Sequence, residues 1–162
     1  MAFLDKATRI LNQILLWIAG SLLGAMILLT CANVLLRLIW IPVAGTFELM
    51  GYFGAVLTAF ALGYTQIRRG HIAVDIVVLG FSKGAQRVLN SINSLICVAF
   101  FAVVAWQIAR YATTLLTTGE VTETLRIIYY PFTYSVALGC ATLSLVCLTD
   151  FLKSFYKKED ET

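Results

Sequence analysis

The sequence predicts an all-α membrane protein with four transmembrane helices and a short interfacial segment between the second and third helices. Hydrophobic residues make up 60% of the 162-residue chain and charged residues 13%, which is too apolar for a soluble domain of this length. The excess is concentrated in four charge-free runs, at 10–36, 49–67, 88–109 and 127–149. The shortest has 19 residues, and as a helix it is about 28 Å long, close to the thickness of the hydrocarbon core.

The basic residues predict the orientation of the chain. Nine of the 12 lie in the N-terminal tail, the 68–87 connection and the C-terminal tail, and three lie on the opposite side. By the positive-inside rule, both termini and the 68–87 connection are expected to face the cytoplasm. The net charge of +3 is then a property of membrane topology and does not indicate nucleic-acid binding.

The first helix, predicted over about 10–36, is longer than a bilayer requires, so it is expected to tilt or to extend into the headgroups. Asn33 and Arg37 share a face near its outer end. Two interpretations of Arg37 stay open: it reaches the lipid headgroups, or it pairs with Glu48 across the short turn at 42–46. Thr46 is expected to be the N-cap of the second helix.

The second helix, predicted over about 49–67, carries a small residue at every fourth position: Gly51, Ala55, Ala59 and Gly63. Small side chains let two helix backbones approach closely in lipid. This helix-packing stripe is expected to contact either another helix of the same chain or a partner protein, and the sequence does not decide between them.

A polar, mixed-charge motif, RRGH at 68–71, follows the second helix. It leads into an apolar stretch, HIAVDIVVLGF at 71–81, that is too short to span a bilayer. This stretch is expected to lie at the cytoplasmic interface. His71 has only Asp75 near it at a ligand spacing, which is too few donors for a closed metal site. The charged and polar residues at the helix ends are the candidate contacts to a partner or to lipid: Arg37, Glu48, Arg68, Arg69, His71 and Asp75.

The third helix is predicted to span the membrane over about 88–109. If the helix continues through Leu116, Gly119 is its expected C-cap. A short outer segment, EVTETLRIIYY, follows it. Pro131 is expected to begin the fourth helix, over about 131–152, because proline suits the first helical position. The chain is thus expected to form one transmembrane domain over 1–162 with short cytoplasmic tails.

No motif for catalysis is found. The four cysteines all fall within the predicted spans without a C-x-x-C pair, and neither a P-loop nor a nucleophile elbow occurs. No catalytic, cofactor-binding or metal-binding residue is therefore predicted, and an enzyme is not expected. Without polar groups at the middle of the spans, the chain is expected to be an accessory subunit that docks on a larger membrane protein.

The chain resembles a known family. The residues that carry the resemblance are Asn33-x-x-x-Arg37, Glu48 at the start of the second span, GYTQIRRGHIAVDIVV, FSKGAQRVL and TLRIIYYPFTYSVALG. Over about residues 10 to 150 these motifs are similar to the small membrane (Q, DctQ-type) subunit of tripartite ATP-independent periplasmic (TRAP) transporters. Members often have two adjacent acids where this chain has Phe47 and Glu48.

The resemblance implies a secondary transporter for organic acids in the bacterial inner membrane, driven by an ion gradient, usually of sodium. The implied partners are a large multi-span membrane subunit, a periplasmic substrate-binding protein and phospholipids. This chain would brace the large subunit without touching substrate. Two alternatives stay open: a small four-helix membrane oxidoreductase or transferase that uses the motif around His71, and the small subunit of a tripartite tricarboxylate carrier.

Overall fold

The computed structural model describes residues 2–39, 41–68 and 82–156. It contains four helices: α1 (Ala2–Ile39), α2 (Thr46–Ile67), α3 (Lys83–Thr118) and α4 (Tyr130–Tyr156). Each of the 4 helices is long and apolar enough to cross a membrane, so the predicted fold class is confirmed. The predicted interfacial segment falls within 69–81, outside the described residues.

The helices form an open row in the order α1, α2, α4, α3. The most extensive contacts join α4 to α3, followed by those between α4 and α2 and those between α1 and α2, while α1 touches α4 only slightly. No substantial contact joins α3 to α1 or α2 within the described part of the chain. We call α2 and α4 the central helices and α1 and α3 the edge helices.

Each edge helix is attached through one narrow seam. The buried and half-buried residues of these helices are spaced alternately three and four positions apart, as in coiled coils. The remaining positions around each helix are mostly exposed. The seam residues are Asn12, Leu15, Ala19, Leu22 and Met26 in α1, and Val98, Phe101, Ala105, Ile108, Ala112 and Leu115 in α3.

The central helices meet where a glycine of α4 lies against the backbone of α2. A Cβ atom on Gly139 would stand 2.6 Å from the carbonyl oxygen of Ala59 and 2.7 Å from its Cβ. Only glycine fits at this distance, because real Cβ atoms do not approach so closely. Small residues at this crossing therefore set the spacing of α2 and α4.

The turn between α1 and α2 is held by side chains at both of its ends. The amide of Asn33 accepts a hydrogen bond at Oδ1 from the backbone N–H of Val43, at 2.8 Å. The prediction that Thr46 caps α2 is wrong. The N-cap is Gly45, whose φ of 74° is left-handed, and Thr46 is the first helical residue, with a hydroxyl that donates to the Val43 carbonyl.

The predicted C-cap of α3 is confirmed, and the segment after it is a closed loop. Gly119 has a φ of 68° and its N–H donates to the Leu115 carbonyl. In the 120–129 loop, Val121 pairs with Ile128 in an antiparallel bridge. Thr122 is only 2% exposed, and its hydroxyl accepts a hydrogen bond from the N–H of Ile127 at 3.0 Å. The loop is thus closed by its own hydrogen bonds.

Candidate functional site

Glu48 fastens the 120–129 loop to the first turn of α2. One carboxylate oxygen accepts a hydrogen bond from the N–H of Thr124 at 2.8 Å, and the other accepts from the N–H of Leu125 at 3.2 Å. The Leu125 side chain also covers Gly45, where an added Cβ would collide with it. We call Glu48, Thr124, Leu125 and Gly45 the clasp. Hydrogen bonds to a charged acceptor are stronger than neutral ones, so the clasp is the firmest polar contact between these segments.

The proposed ion pair between Arg37 and Glu48 is not formed. Both residues are described, and the carboxylate of Glu48 is occupied by the loop amides. Arg37 lies in the last turn of α1 with its side chain exposed. The other interpretation, that Arg37 reaches the lipid headgroups, stays a prediction.

At the other end of α2, Arg68 packs along the helix. Its Nε donates to the hydroxyl of Tyr64 at 3.1 Å, and its guanidinium lies 5.5 Å from the centroid of that ring. Gln66 reaches α4 through a 3.4 Å hydrogen bond to Asp150. The other predicted contacts of this motif, Arg69, His71 and Asp75, lie outside the described residues, so their role stays a prediction.

The structure divides the helix-packing stripe of α2 into two halves. Ala59 and Gly63 are buried, Ala59 against α4 and Gly63 against the side chain of Asn12 in α1. Gly51 and Ala55 are exposed, and nothing lies over Gly51. One half of the stripe therefore packs this chain's own helices, and any partner contact at the other half stays a prediction.

Sequence reasoning missed Asn12, which is the most deeply buried of the described polar side chains of α1. Its side chain is 1% exposed and its amide Nδ2 donates to the Thr8 carbonyl at 2.8 Å. Its Oδ1 has no hydrogen-bond partner among the described residues and points at Gly63. The only signal in the sequence was the glycine at position 63, which leaves room for this amide.

Potential reactive groups are scattered along the helices. Cys31 is exposed, Cys97 is half-buried, and Cys140 and Cys147 are buried, all with free thiols. Within the described residues, no three His, Cys, Asp or Glu side chains are grouped so as to hold a metal ion. The polar contacts that the structure does bring together join helices and loops of this chain.

These features define a multi-pass helical membrane protein whose polar side chains hold its own segments together. The chain belongs to the DctQ family: the family model described as "Tripartite ATP-independent periplasmic transporters, DctQ component" matches residues 26–156. The predicted resemblance is confirmed, and the chain is a small permease subunit of a TRAP transporter. Members of this family are components of transporters, and the family is not one of enzymes. Searches of curated proteins and of solved structures found no match.

Proposed function

We propose that this chain braces the large membrane subunit of a TRAP transporter that takes up organic acids across the bacterial inner membrane. A sodium gradient drives uptake, and a periplasmic binding protein delivers the substrate to the large subunit. This chain does not touch the substrate. Family membership supports the transporter, because a DctQ component works beside two other components.

The observation that carries the bracing role is the contrast in burial between central and edge helices. We compare the share of residues that are buried in one apolar 18-residue stretch of each helix. This share is 28% in α2 and 44% in α4, but only 11% in α1 and 6% in α3. The edge helices thus offer two long surfaces that the described residues leave uncovered. A subunit that acts by docking needs such surfaces and does not need a substrate site.

The proposed orientation puts both termini and the 68–87 connection in the cytoplasm, and the 120–129 loop in the periplasm. It rests on the distribution of basic residues. Cysteine labelling in a cysteine-free background tests it at Lys83 and Glu120. Glu120→Cys should react with an impermeant reagent from outside, and Lys83→Cys should not. The reverse pattern would contradict the orientation.

Reconstitution tests the function directly. The large subunit, the binding protein and this chain are placed in vesicles with an inward sodium gradient, and uptake of radiolabelled organic acids is measured. Omitting this chain should abolish uptake while the substrate affinity of the binding protein stays unchanged. Undiminished uptake without this chain would overturn the proposal. Replacing sodium by potassium on both sides tests the coupling ion separately.

Asp75 tests whether the residues at the helix ends act only through assembly. Asp75→Asn should lower uptake and the yield of the complex together, because a docking carboxylate loses its charge-assisted hydrogen bonds. Loss of uptake in a complex that stays fully assembled would instead indicate a direct part in coupling.

A further inference from the structure

Helix contacts fix the depth of each segment relative to Glu48. Glu48 and Arg68 are separated by about 30 Å along α2, which equals the thickness of the hydrocarbon core, so we take these two charged residues as its boundaries. Ala59 lies about 16 Å below Glu48 and contacts Gly139 of α4. Ser144 lies about 8 Å beyond Gly139 along α4, which places it about 24 Å below the level of Glu48.

The same register places Arg110 inside the hydrocarbon core. The hydroxyl of Ser144 donates to the Val98 carbonyl at 3.1 Å, so these residues lie at one level. α3 runs back from Val98 towards the Glu48 end and reaches Arg110 after about 18 Å. The backbone of Arg110 is thus about 6 Å deeper than Glu48, about one helical turn below the boundary.

The side chain of Arg110 points deeper still. Its guanidinium lies 5.3 Å from the ring centroid of Trp106, one turn closer to the middle of the membrane. Helical side chains point towards the N-terminus of their helix, and the N-terminus of α3 is at the far side. Arginines near a boundary normally extend outwards to water. Arg110 is therefore directed away from the nearer headgroups.

The face around Arg110 is exposed and polar. Arg110, Gln107 and Trp106 are all exposed, Trp106 at 61%, and they lie away from the α3 seam that contacts α4. Within the described residues, no carboxylate pairs with Arg110 and no hydrogen bond satisfies the amide of Gln107. Exposed apolar side chains are stable in contact with lipid. A guanidinium and an amide in the hydrocarbon core require hydrogen-bonding or charged partners, because burying them unpaired is costly.

We propose that the α3 face formed by Trp106, Gln107 and Arg110 docks a transmembrane helix of the large subunit. That helix presents a carboxylate to Arg110 and a hydrogen-bonding side chain to Gln107. The inference rests on the proposed function, because it takes the large subunit as the partner. Charge complementarity favours this occupant over lipid, since a phosphate stays in the headgroup region and would draw the guanidinium outwards.

Photo-cross-linking in the assembled complex tests the face. Benzoylphenylalanine is placed at Gln107, and the complex is irradiated in membranes. An adduct with the mass of this chain plus the large subunit is expected. An adduct with phospholipid alone would overturn the inference, as the face would then contact lipid.

Co-purification of the large subunit with Arg110 variants gives the second measurement. Arg110→Leu should lower the recovered large subunit by at least about tenfold, because a partner carboxylate is left buried and unpaired. Arg110→Lys keeps the positive charge and should recover part of the large subunit that Arg110→Leu loses. Glu120→Gln, which removes an exposed charge from the 120–129 loop, is the control and should have no effect.

Thermal unfolding of the isolated chain tests for misfolding. The guanidinium of Arg110 packs on the exposed ring of Trp106, so Arg110→Leu should leave the melting temperature unchanged. If the wild-type chain fails to recover the large subunit, the proposed function and this inference both fail. If the wild-type chain and Arg110→Leu recover it equally, only the inference fails and the bracing role stands.

Discussion

The central helices and the edge helices of this chain are held by different means. The central helices have 22 and 27 residues and meet through small residues at a close backbone crossing. The edge helices have 38 and 36 residues and are attached along one seam each. In lipid an exposed apolar face costs little, so a helix attached on one side is stable. Stability of the isolated chain should therefore depend on α2 and α4, and association with a partner on α1 and α3.

The largest expected effect is that of Ala59→Leu, compared with Ala55→Leu one turn away. Ala59 is buried against Gly139, so the larger side chain forces α2 and α4 apart and lowers the free energy of unfolding by about 3 kcal/mol. Ala55 is exposed, and its substitution should leave the isolated chain unchanged. Unfolding in detergent measures both. Equal effects would mean that the α2–α4 crossing does not govern stability.

Gly139→Ala applies the smallest possible change to the same crossing. The new methyl group would overlap the Ala59 backbone, and we expect a loss of about 2 kcal/mol in unfolding free energy. Gly24→Ala on α1 is the matched control, because nothing lies within 4 Å of a Cβ there. Gly24→Ala should be neutral or slightly stabilising, as alanine favours helix. A destabilising Gly24→Ala would contradict the division between central and edge helices.

Glu48→Gln tests the clasp at the end of the central pair. The amide offers one acceptor where two N–H groups need one each, so we expect a loss of about 1.5 kcal/mol. Hydrogen exchange at the amides of Thr124 and Leu125 should accelerate. Glu123→Gln, on the same loop and exposed, should change neither quantity. Unchanged exchange at both amides would show that the carboxylate does not hold the loop.

The smallest effect is expected at an exposed hydrogen bond between an edge helix and a central helix, α3 and α4. The hydroxyls of Tyr134 and Thr113 lie 2.9 Å apart, and Tyr134→Phe should cost about 0.5 kcal/mol. Tyr111→Phe, an exposed tyrosine of α3, is the control. A cost above that of Glu48→Gln would mean that the α3 seam carries more stability than its exposure indicates.

The four helices and the Gly119 cap could be predicted because run length, charge and glycine act locally. The open row could not, since leucine faces lipid and protein equally well and hydropathy does not separate the two. The stripe from Gly51 to Gly63 predicted a packing surface, but only contacts divide it. The partners of Glu48 could not be predicted either. They are backbone N–H groups far along the chain, and every non-proline residue has such a group, so the sequence does not single these two out.

The clasp decides where added sequence can be tolerated on this side of the molecule. Its two donors are consecutive residues, so a tag inserted between Thr124 and Leu125 would carry one amide away from Glu48 and lift Leu125 off Gly45. Glu120 is exposed and precedes the pairing of Val121 with Ile128, so a tag inserted there leaves the loop closed. A fluorophore at Glu120 would therefore report on the folded subunit, whereas one at the loop tip would report on a loop that it had already opened.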